Sequence, residues 1–411
     1  MSMSDVITTE ILVSGGGFAG LALGIALAQS GIRTAVVETG HFAEAQIPAF
    51  DGRVSSIAPD AKRMLTALGV WPHVAEAQSV TDIVVSGGTL TGGSSPFFLH
   101  FDEVDAGAAL FDIVENRYLR AALMTVARTL PDLVLYQGAR IDHADTSSAG
   151  VTARLSTGET VAARMLVAAE GRESPLRERF GIKVSGWSYA QWGLVCTVEH
   201  ERPHDGAAQE YFLPSGPFAI LPMTGNRSSL VWTERADLAA SYLALSETDF
   251  ADEVSRRFTD YLGEVKPVGA RWGYPLAMQL ARDYVATRFA LVGDAAHVVH
   301  PIAGQGLNLG LRDVAALSEA IVDGARLGLD LGADAILDAY QRRRRIDGAM
   351  MAGMTDVLNR LFSNDSGPLR TLRETGLGAV NAITPLRRFF ARAASGALGE
   401  APPRLLAGEG L

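Results

Sequence analysis

Hydrophobic positions along the chain change period abruptly near the amino end, and those changes mark its first unit. Glu10–Val13 is an apolar run of strand length, followed at once by Gly15-Gly16-Gly17-Phe18-Ala19-Gly20. Leu21–Ser30 has helical composition, Gly31 stops it, and Arg33–Val37 forms a second strand pattern ending in Glu38. This is a complete β-α-β unit. Further helices are expected over Asp60–Leu68, Arg117–Thr129, Gly306–Leu327 and Ala333–Leu361. Met354, Val357, Leu358, Leu361 and Phe362 fall on one stripe of the last. Gly87–Ser95 reads as a Gly/Ser/Thr loop.

Short strands are expected near Leu133–Tyr136, Val151–Leu155, Met165–Ala168 and Phe289–Val292. Between Gln191 and Trp272 the runs Trp192–Val198, Glu210–Phe212, Phe218–Leu221 and Ser229–Thr233 suggest a separate, mainly antiparallel sheet. Helix-like Ser246–Leu262 interrupts it. The order predicts an α/β fold. A Rossmann-like nucleotide-binding domain is assembled from residues 1–80, 105–185 and 285–345. A mainly antiparallel β-sheet substrate domain, residues 81–104 and 186–284, is inserted into it, and a C-terminal helical region covers residues 346–411.

Composition narrows the classes. The 411 residues are 48% hydrophobic and 20% charged, which excludes wholesale disorder. Net charge is −10, so no nucleic-acid partner is expected. The one cysteine, Cys196, cannot form an internal disulfide and reads as a buried small apolar residue. No apolar run approaches the ~18 residues that cross a bilayer. Leu21–Ala28 lacks the preceding Lys or Arg of a signal peptide, so a cytoplasmic protein is expected. Charge is uneven: Gln341–Leu411 carries 11 Arg against 6 Asp or Glu, +5, leaving −15 for the remainder.

Gly15-x-Gly17-x-x-Gly20 sits between strand and helix. Gly15 permits a tight turn, Gly17 lets a pyrophosphate approach the backbone, and Gly20 lets the helix pack on the sheet. Glu38, 18 residues past Gly20, ends the next strand and can accept hydrogen bonds from ribose hydroxyls. This unit alone does not separate NAD from FAD.

Far downstream, Phe289-Ala290-Leu291-Val292-Gly293-Asp294 ends a strand in a small residue and a carboxylate. Asp294 is suited to a sugar-alcohol chain such as the flavin ribityl. In His300-Pro301-Ile302-Ala303-Gly304-Gln305-Gly306-Leu307-Asn308, glycines admit close backbone approach, and the positive end of a long helix faces the ligand. Pro301, Gly304, Gln305 and Gly306 are the flavin-adjacent candidates. His297 and His300 lack the carboxylate set of a metal site and read as structural or flavin-adjacent; no metal is expected.

The run His300-Pro301-x-Ala303-Gly304-Gln305-Gly306-x-Asn308-x-Gly310-x-x-Asp313 resembles the signature of the ubiquinone-biosynthesis aromatic hydroxylases, within the flavoprotein hydroxylases of the para-hydroxybenzoate hydroxylase type. The resemblance includes Asp51-Gly52-Arg53, Val114-Glu115-Asn116-Arg117-Tyr118-Leu119, Thr355-Asp356-x-Leu358 and Leu361-Phe362-Ser363-Asn364. Where that family shows Ala-Asp-Gly, this chain has Ala169-Glu170-Gly171, a stretch assigned contacts with FAD and with the nicotinamide donor.

The resemblance implies FAD as cofactor and NAD(P)H as a transient electron donor; the lack of a second strand-GxGxxG-helix unit fits such a donor and also fits electrons arriving from a partner protein. It implies that Arg53 and Arg117 lie near the flavin, and that Asn308 joins the cofactor site. It implies oxygen transfer from a flavin C4a-hydroperoxide to the ring of a polyprenylated phenol, with O2 as co-substrate. Alternatives on the same fold are a prenyl reductase, a halogenase, or a low-turnover flavoprotein scaffold within a quinone-biosynthesis complex. The substrate is expected against the β-rich sheet, with one or two of Trp192, Phe212, Phe218, Trp232 and Trp272 lining its pocket. Ala379, Val380, Ile383, Leu386, Phe389 and Phe390, near Arg387, Arg388 and Arg392, form an apolar stripe. It reads either as a helix lying on an anionic membrane, placing the enzyme peripherally on the inner face, or as a packed helix or subunit contact with other ubiquinone-biosynthesis proteins.

Overall fold

The computed structural model describes residues 6–42, 49–89, 93–102, 110–258, 261–362 and 402–411. One sheet has six strands, in the order Val285–Ala286, Phe289–Leu291, Met165–Ala168, Ile11–Ser14, Thr34–Glu38, Leu133–Gln137. All pairings are parallel except the first. Helices cover its faces, which is why Ile11–Ser14, Met165–Ala168 and Phe289–Leu291 are buried without alternation. Helix Phe18–Gln29 is buried from Gly20 to Ala28 without a break. It lies between the sheet and two further helices, Asn116–Ala127 and Gly306–Arg326. Its sequence is therefore apolar all round rather than amphipathic.

A second sheet has eight strands, in the order His297–Val298, Val265–Ala281, Val184–His200, Arg227–Arg235, Gly216–Met223, Ala207–Leu213, Asp82–Thr89, Gly93–Asp102. Its pairs are antiparallel except Ala207–Leu213 with Asp82–Thr89. One face buries Phe218, Leu230 and Trp232 under helices Ala236–Leu243 and Glu247–Phe258. The period of two turns Pro217, Ala219, Leu221, Val231 and Thr233 to the other face, where they line a cavity.

Several expectations change in the structure. Gly87–Ser95 is not a simple loop, because its ends belong to the hairpin of Asp82–Thr89 and Gly93–Asp102. Pairing with Ala207–Leu213 overrides the weak strand propensity of Gly and Ser. A four-stranded sheet (Ile7–Thr8, Ile141–Thr146, Val151–Leu155, Thr160–Ala163) and a three-stranded sheet (Val54–Ile57, Gln78–Val80, Phe111–Glu115) were each foreseen in one strand at most. Within helix Asp334–Phe362, Leu358 and Leu361 pack on Leu99, Phe101 and Phe212, but Val357 is 61% exposed and leaves the stripe. Cys196 is buried among the apolar side chains beside Trp232, and burial pushes its thiol up to about 12, so it is not a nucleophile.

The stripe Ala379 to Phe390, its neighbouring arginines, and Ser363-Asn364 lie outside the described residues. Beyond them, Arg404–Ala407 returns to pack Leu405 and Leu406 against helices Pro59–Ala67 and Gly306–Arg326. Among the described residues no helix is long and apolar enough to cross a membrane.

Candidate active site

The carboxyl ends of strands Ile11–Ser14, Thr34–Glu38 and Phe289–Leu291 converge on the glycine turn. Gly15 has φ +102°, and a Cβ there would lie 2.3 Å from the Ala169 carbonyl oxygen. At Gly20 a Cβ would lie 1.9 Å from the Gly15 carbonyl oxygen. Gly17 has open space on its Cβ side. The turn is therefore closed on its protein side and open at its middle glycine. Helix Phe18–Gln29 begins there with no side-chain cap and no acidic residue in its first turn. Its amino end keeps both unpaired N–H groups and positive potential.

Glu38 already accepts the Gly16 N–H at 2.6 Å and the Gly40 N–H at 2.9 Å. A carboxylate has about four acceptor directions, so it can hold the turn and still receive a hydroxyl. Arg120 was not foreseen. It reaches the Gly16 carbonyl at 3.5 Å and lies over the Phe18 ring, placing a cation beside the turn. Its helical spacing of three from Arg117 was the available signal. Arg117 itself donates to Glu115 at 2.7 Å and to the Tyr118 hydroxyl at 2.9 Å, and stacks over Tyr118.

The Gly293–Asp294 turn is set from below. The Gly293 N–H donates to Asp313 Oδ2 at 2.9 Å, and Gly293 has φ +63°. Asp313 also pairs with His297 Nε2 at 2.5 Å and Arg344 Nε at 2.7 Å, all three side chains buried. Burial alone would raise the Asp313 pKa; the His297 and Arg344 charges and hydrogen bonds outweigh it and hold the carboxylate low. His297 is thereby structural. His300 stands edge-on to Tyr189, and burial lowers its pKa to about 4. Asp294 opens onto a deep cleft, so its carboxyl has accessible surface while protein surrounds the cleft. That poor hydration raises its pKa, with His297 and Arg172 opposing.

Around the Pro301–Gly306 loop, Gly304 has φ +62°, and a Cβ there would meet Ser56 at 2.9 Å. Gly306 has open space, and Gln305 is buried at the start of helix Gly306–Arg326. Asn308 accepts the Ala58 N–H at 2.9 Å and donates to the Ser56 carbonyl at 3.0 Å. Its amide thus ties strand Val54–Ile57 to the helix. Arg53 is held by Asp51 and stacks over Trp272. Glu170 accepts from Ser14 at 2.7 Å and Ser174 at 2.6 Å, knitting two segments beside the glycine turn.

A cavity of about 1060 Å³ adjoins Arg53, Asp294 and the Pro301–Gly306 loop; the Gly15–Gly20 turn is not part of its lining. At one end it meets Arg53, Asp294, Pro301, Gly304 and Gly306; elsewhere its wall is Ile83, Leu99, Phe101, Phe212, Leu358 and Leu361. Of the five aromatic candidates, Phe212 and Trp272 line it. Trp192, Phe218 and Trp232 do not, because strand alternation turns them to the helix-covered face.

Comparison with known proteins gives concordant results. The model of the FAD binding domain family matches residues 8–352. The chain is 49% identical to ubiquinone hydroxylase UbiL of Rhodospirillum rubrum over 403 residues, covering 97% of this chain and 92% of that protein. It is 32% identical to 3-demethoxyubiquinol 3-hydroxylase of Escherichia coli over 384 residues, covering 92% and 96%. Human ubiquinone biosynthesis monooxygenase COQ6, mitochondrial, is 31% identical, covering 92% of this chain and 90% of that one. Among solved structures, p-nitrophenol 4-monooxygenase PnpA from Pseudomonas putida superposes with TM-score 0.80 at 18% identity, over 96% of this chain and all of that one. At that identity the likeness establishes the fold.

Proposed function

The chain belongs to the FAD binding domain family, and from that premise we propose that it is a monooxygenase hydroxylating the aromatic ring of a polyprenylated phenol in ubiquinone biosynthesis. The observation that carries this reading is the shared cavity. One chamber meets the Asp294–Gly306 edge and continues along an apolar wall suited to a prenyl chain.

The residues present fit FAD. The open face of Gly17 and the uncapped helix leave room and unpaired donors for a pyrophosphate. Gly15 and Gly20 shape the turn, Arg120 supplies a cation, and Glu38 receives ribose hydroxyls. Asp294 takes the ribityl chain, while Arg53, Gly304 and Gly306 border the ring. Arg117 and Asn308 position the elements that carry these groups. When bound and reduced by NAD(P)H, FAD supplies the activation of O2. The protein orients the phenol and keeps water away, tasks for which the apolar wall is suited. A polyprenylated substrate resides in the bilayer. We therefore place the enzyme at the membrane surface, in contact with other proteins of ubiquinone assembly, with the basic carboxyl-terminal stretch as the attracting feature.

The test uses purified holoenzyme with 2-prenylphenol. The phenol should stimulate consumption of reduced nicotinamide and O2, and the product should carry one atom from isotopically heavy O2. Equal hydroxylation without O2, or a reduced prenyl chain as product, would exclude the proposal.

Replacing Asp294 with Ala should weaken FAD binding by about 10- to 100-fold, the loss of one charge-assisted hydrogen-bonding group. Titration of apoprotein with FAD, followed by flavin fluorescence, measures it. Unchanged affinity would remove the ribityl assignment.

A further inference from the structure

Registered pairs form a single row across seven strands of the large sheet: Leu99, Val85, Glu210, Ala219, Val231, Val195 and Trp272. All seven line the cavity. Glu210 is the charged member. On its own face its neighbours are Ala208 and Phe212 along the strand, Ile83 and Val85 on one side, and Pro217, Ala219 and Leu221 on the other. No hydrogen bond or ion pair to its carboxylate occurs among the described residues. Its remaining accessible surface is half-buried and borders the cavity. Burial is the one cause acting on its pKa, lifting it to about 7.

A carboxylate set in an apolar wall is costly to keep unless something in the chamber uses it. Nothing on the protein side does. Four interstrand steps, roughly 19 Å along the sheet, separate it from Trp272 at the Arg53 end, a span that takes the flavin ring and then the phenol, while Leu99 and Phe101 lie two strands further on for the prenyl chain.

We propose that Glu210 receives the ring hydroxyl of the substrate, accepting its hydrogen bond and taking its proton as the ring is oxygenated. This rests on the hydroxylase reading. The substrate O–H bond breaks, the proton passes to the Glu210 carboxylate, and the freed electron pair enters the ring. A ring carbon bonds to one oxygen atom of O2; the other leaves as water, with reduced nicotinamide supplying the two electrons that balance it. The hydrogen on the oxygenated carbon then moves as a proton to the new oxygen, and Glu210 returns the proton it took to the first; the two protons of the water come from the reduced nicotinamide and from solvent. A neutral dihydroxylated ring remains.

The titratable groups around Glu210 are few. Strand Gly216–Met223 carries none. Asp82, at the start of the neighbouring strand, pairs with His100, and Asp102 ends the strand beyond. Asp356 on helix Asp334–Phe362 is bonded to Tyr189 and Arg360. On the cavity wall the others are Arg53, Arg172, Tyr274 and Asp294.

The test compares wild-type, Glu210→Gln and Glu210→Asp holoenzymes, with FAD content as the check on folding. Binding of 2-prenylphenol and of its methyl ether is followed by perturbation of the flavin spectrum. The wild type should favour the phenol and Glu210→Gln should lose that preference. Turnover of 2-prenylphenol should rise with pH through a limb near 7 in the wild type. In Glu210→Gln it should fall at least ten-fold and the limb should flatten, while Glu210→Asp restores part of both. A Glu210→Gln enzyme with wild-type rate, pH profile and phenol preference overturns the role of Glu210 and leaves the hydroxylase reading intact. If the wild type binds the phenol but converts none, the hydroxylase reading fails. Glu210 then stands as a binding group if the preference depends on it, and falls if it does not.

Discussion

A Gly20→Ala protein is expected to emerge colourless and to melt well below the wild type. The added methyl would sit 1.9 Å from the Gly15 carbonyl oxygen, a backbone atom that cannot rotate aside. The helix must then move off the turn, yet its next eight residues are locked in the core. Overpacking of this kind costs about 1–3 kcal/mol or more. Displacement of the turn also moves the donors proposed for the pyrophosphate. Thermal melting with and without added FAD measures both parts. Full yellow occupancy with an unchanged melting temperature would show that the turn does not hold the cofactor.

The second large effect is expected at Asp313. Asp313→Ala removes the partner of two buried cationic or potentially cationic side chains and frees the Gly293 N–H. Leaving a buried partner unpaired costs about 3–5 kcal/mol. Because this N–H sets the turn that carries Asp294, FAD affinity should fall as well. The pH dependence has a definite sign. The native pKa of Asp313 lies below its ordinary value, so its contribution to stability is complete above about pH 4 and is lost as pH falls through the native pKa. Denaturant unfolding at pH 7 and pH 3 should therefore separate wild type and variant widely at the first and less at the second. An equal gap at both would refute the ionised pairing.

Local pattern carried the first β-α-β unit, the Gly-Asp strand end and the loop before helix Gly306–Arg326, because each is written in consecutive residues. The family resemblance rested on the same stretches. What escaped depends on partners far along the chain. Asp313 looks like one more helical acid until Gly293, His297 and Arg344 surround it. Nothing near Asn308 in sequence shows that its amide ties Ala58 and Ser56, some 250 residues earlier, to the helix. Among the aromatic residues, alternation shows that Phe218 and Phe212 can be distinguished by strand, but not which face of the sheet meets helices and which meets the cavity. Glu210 was invisible for the same reason: in a strand, a charged residue usually marks the solvent side.

The parallel sheet takes its strands from residues near 11, 34, 133, 165 and 289, and the Arg344 that braces its last turn comes later still. A ribosome releasing this chain delivers every strand of the large sheet but the short His297–Val298 edge before Phe289–Leu291 emerges. The flavin cradle can therefore be sealed only in the closing stages of translation, and until then the exposed flank of Met165–Ala168 is a surface on which a chaperone would be expected to act.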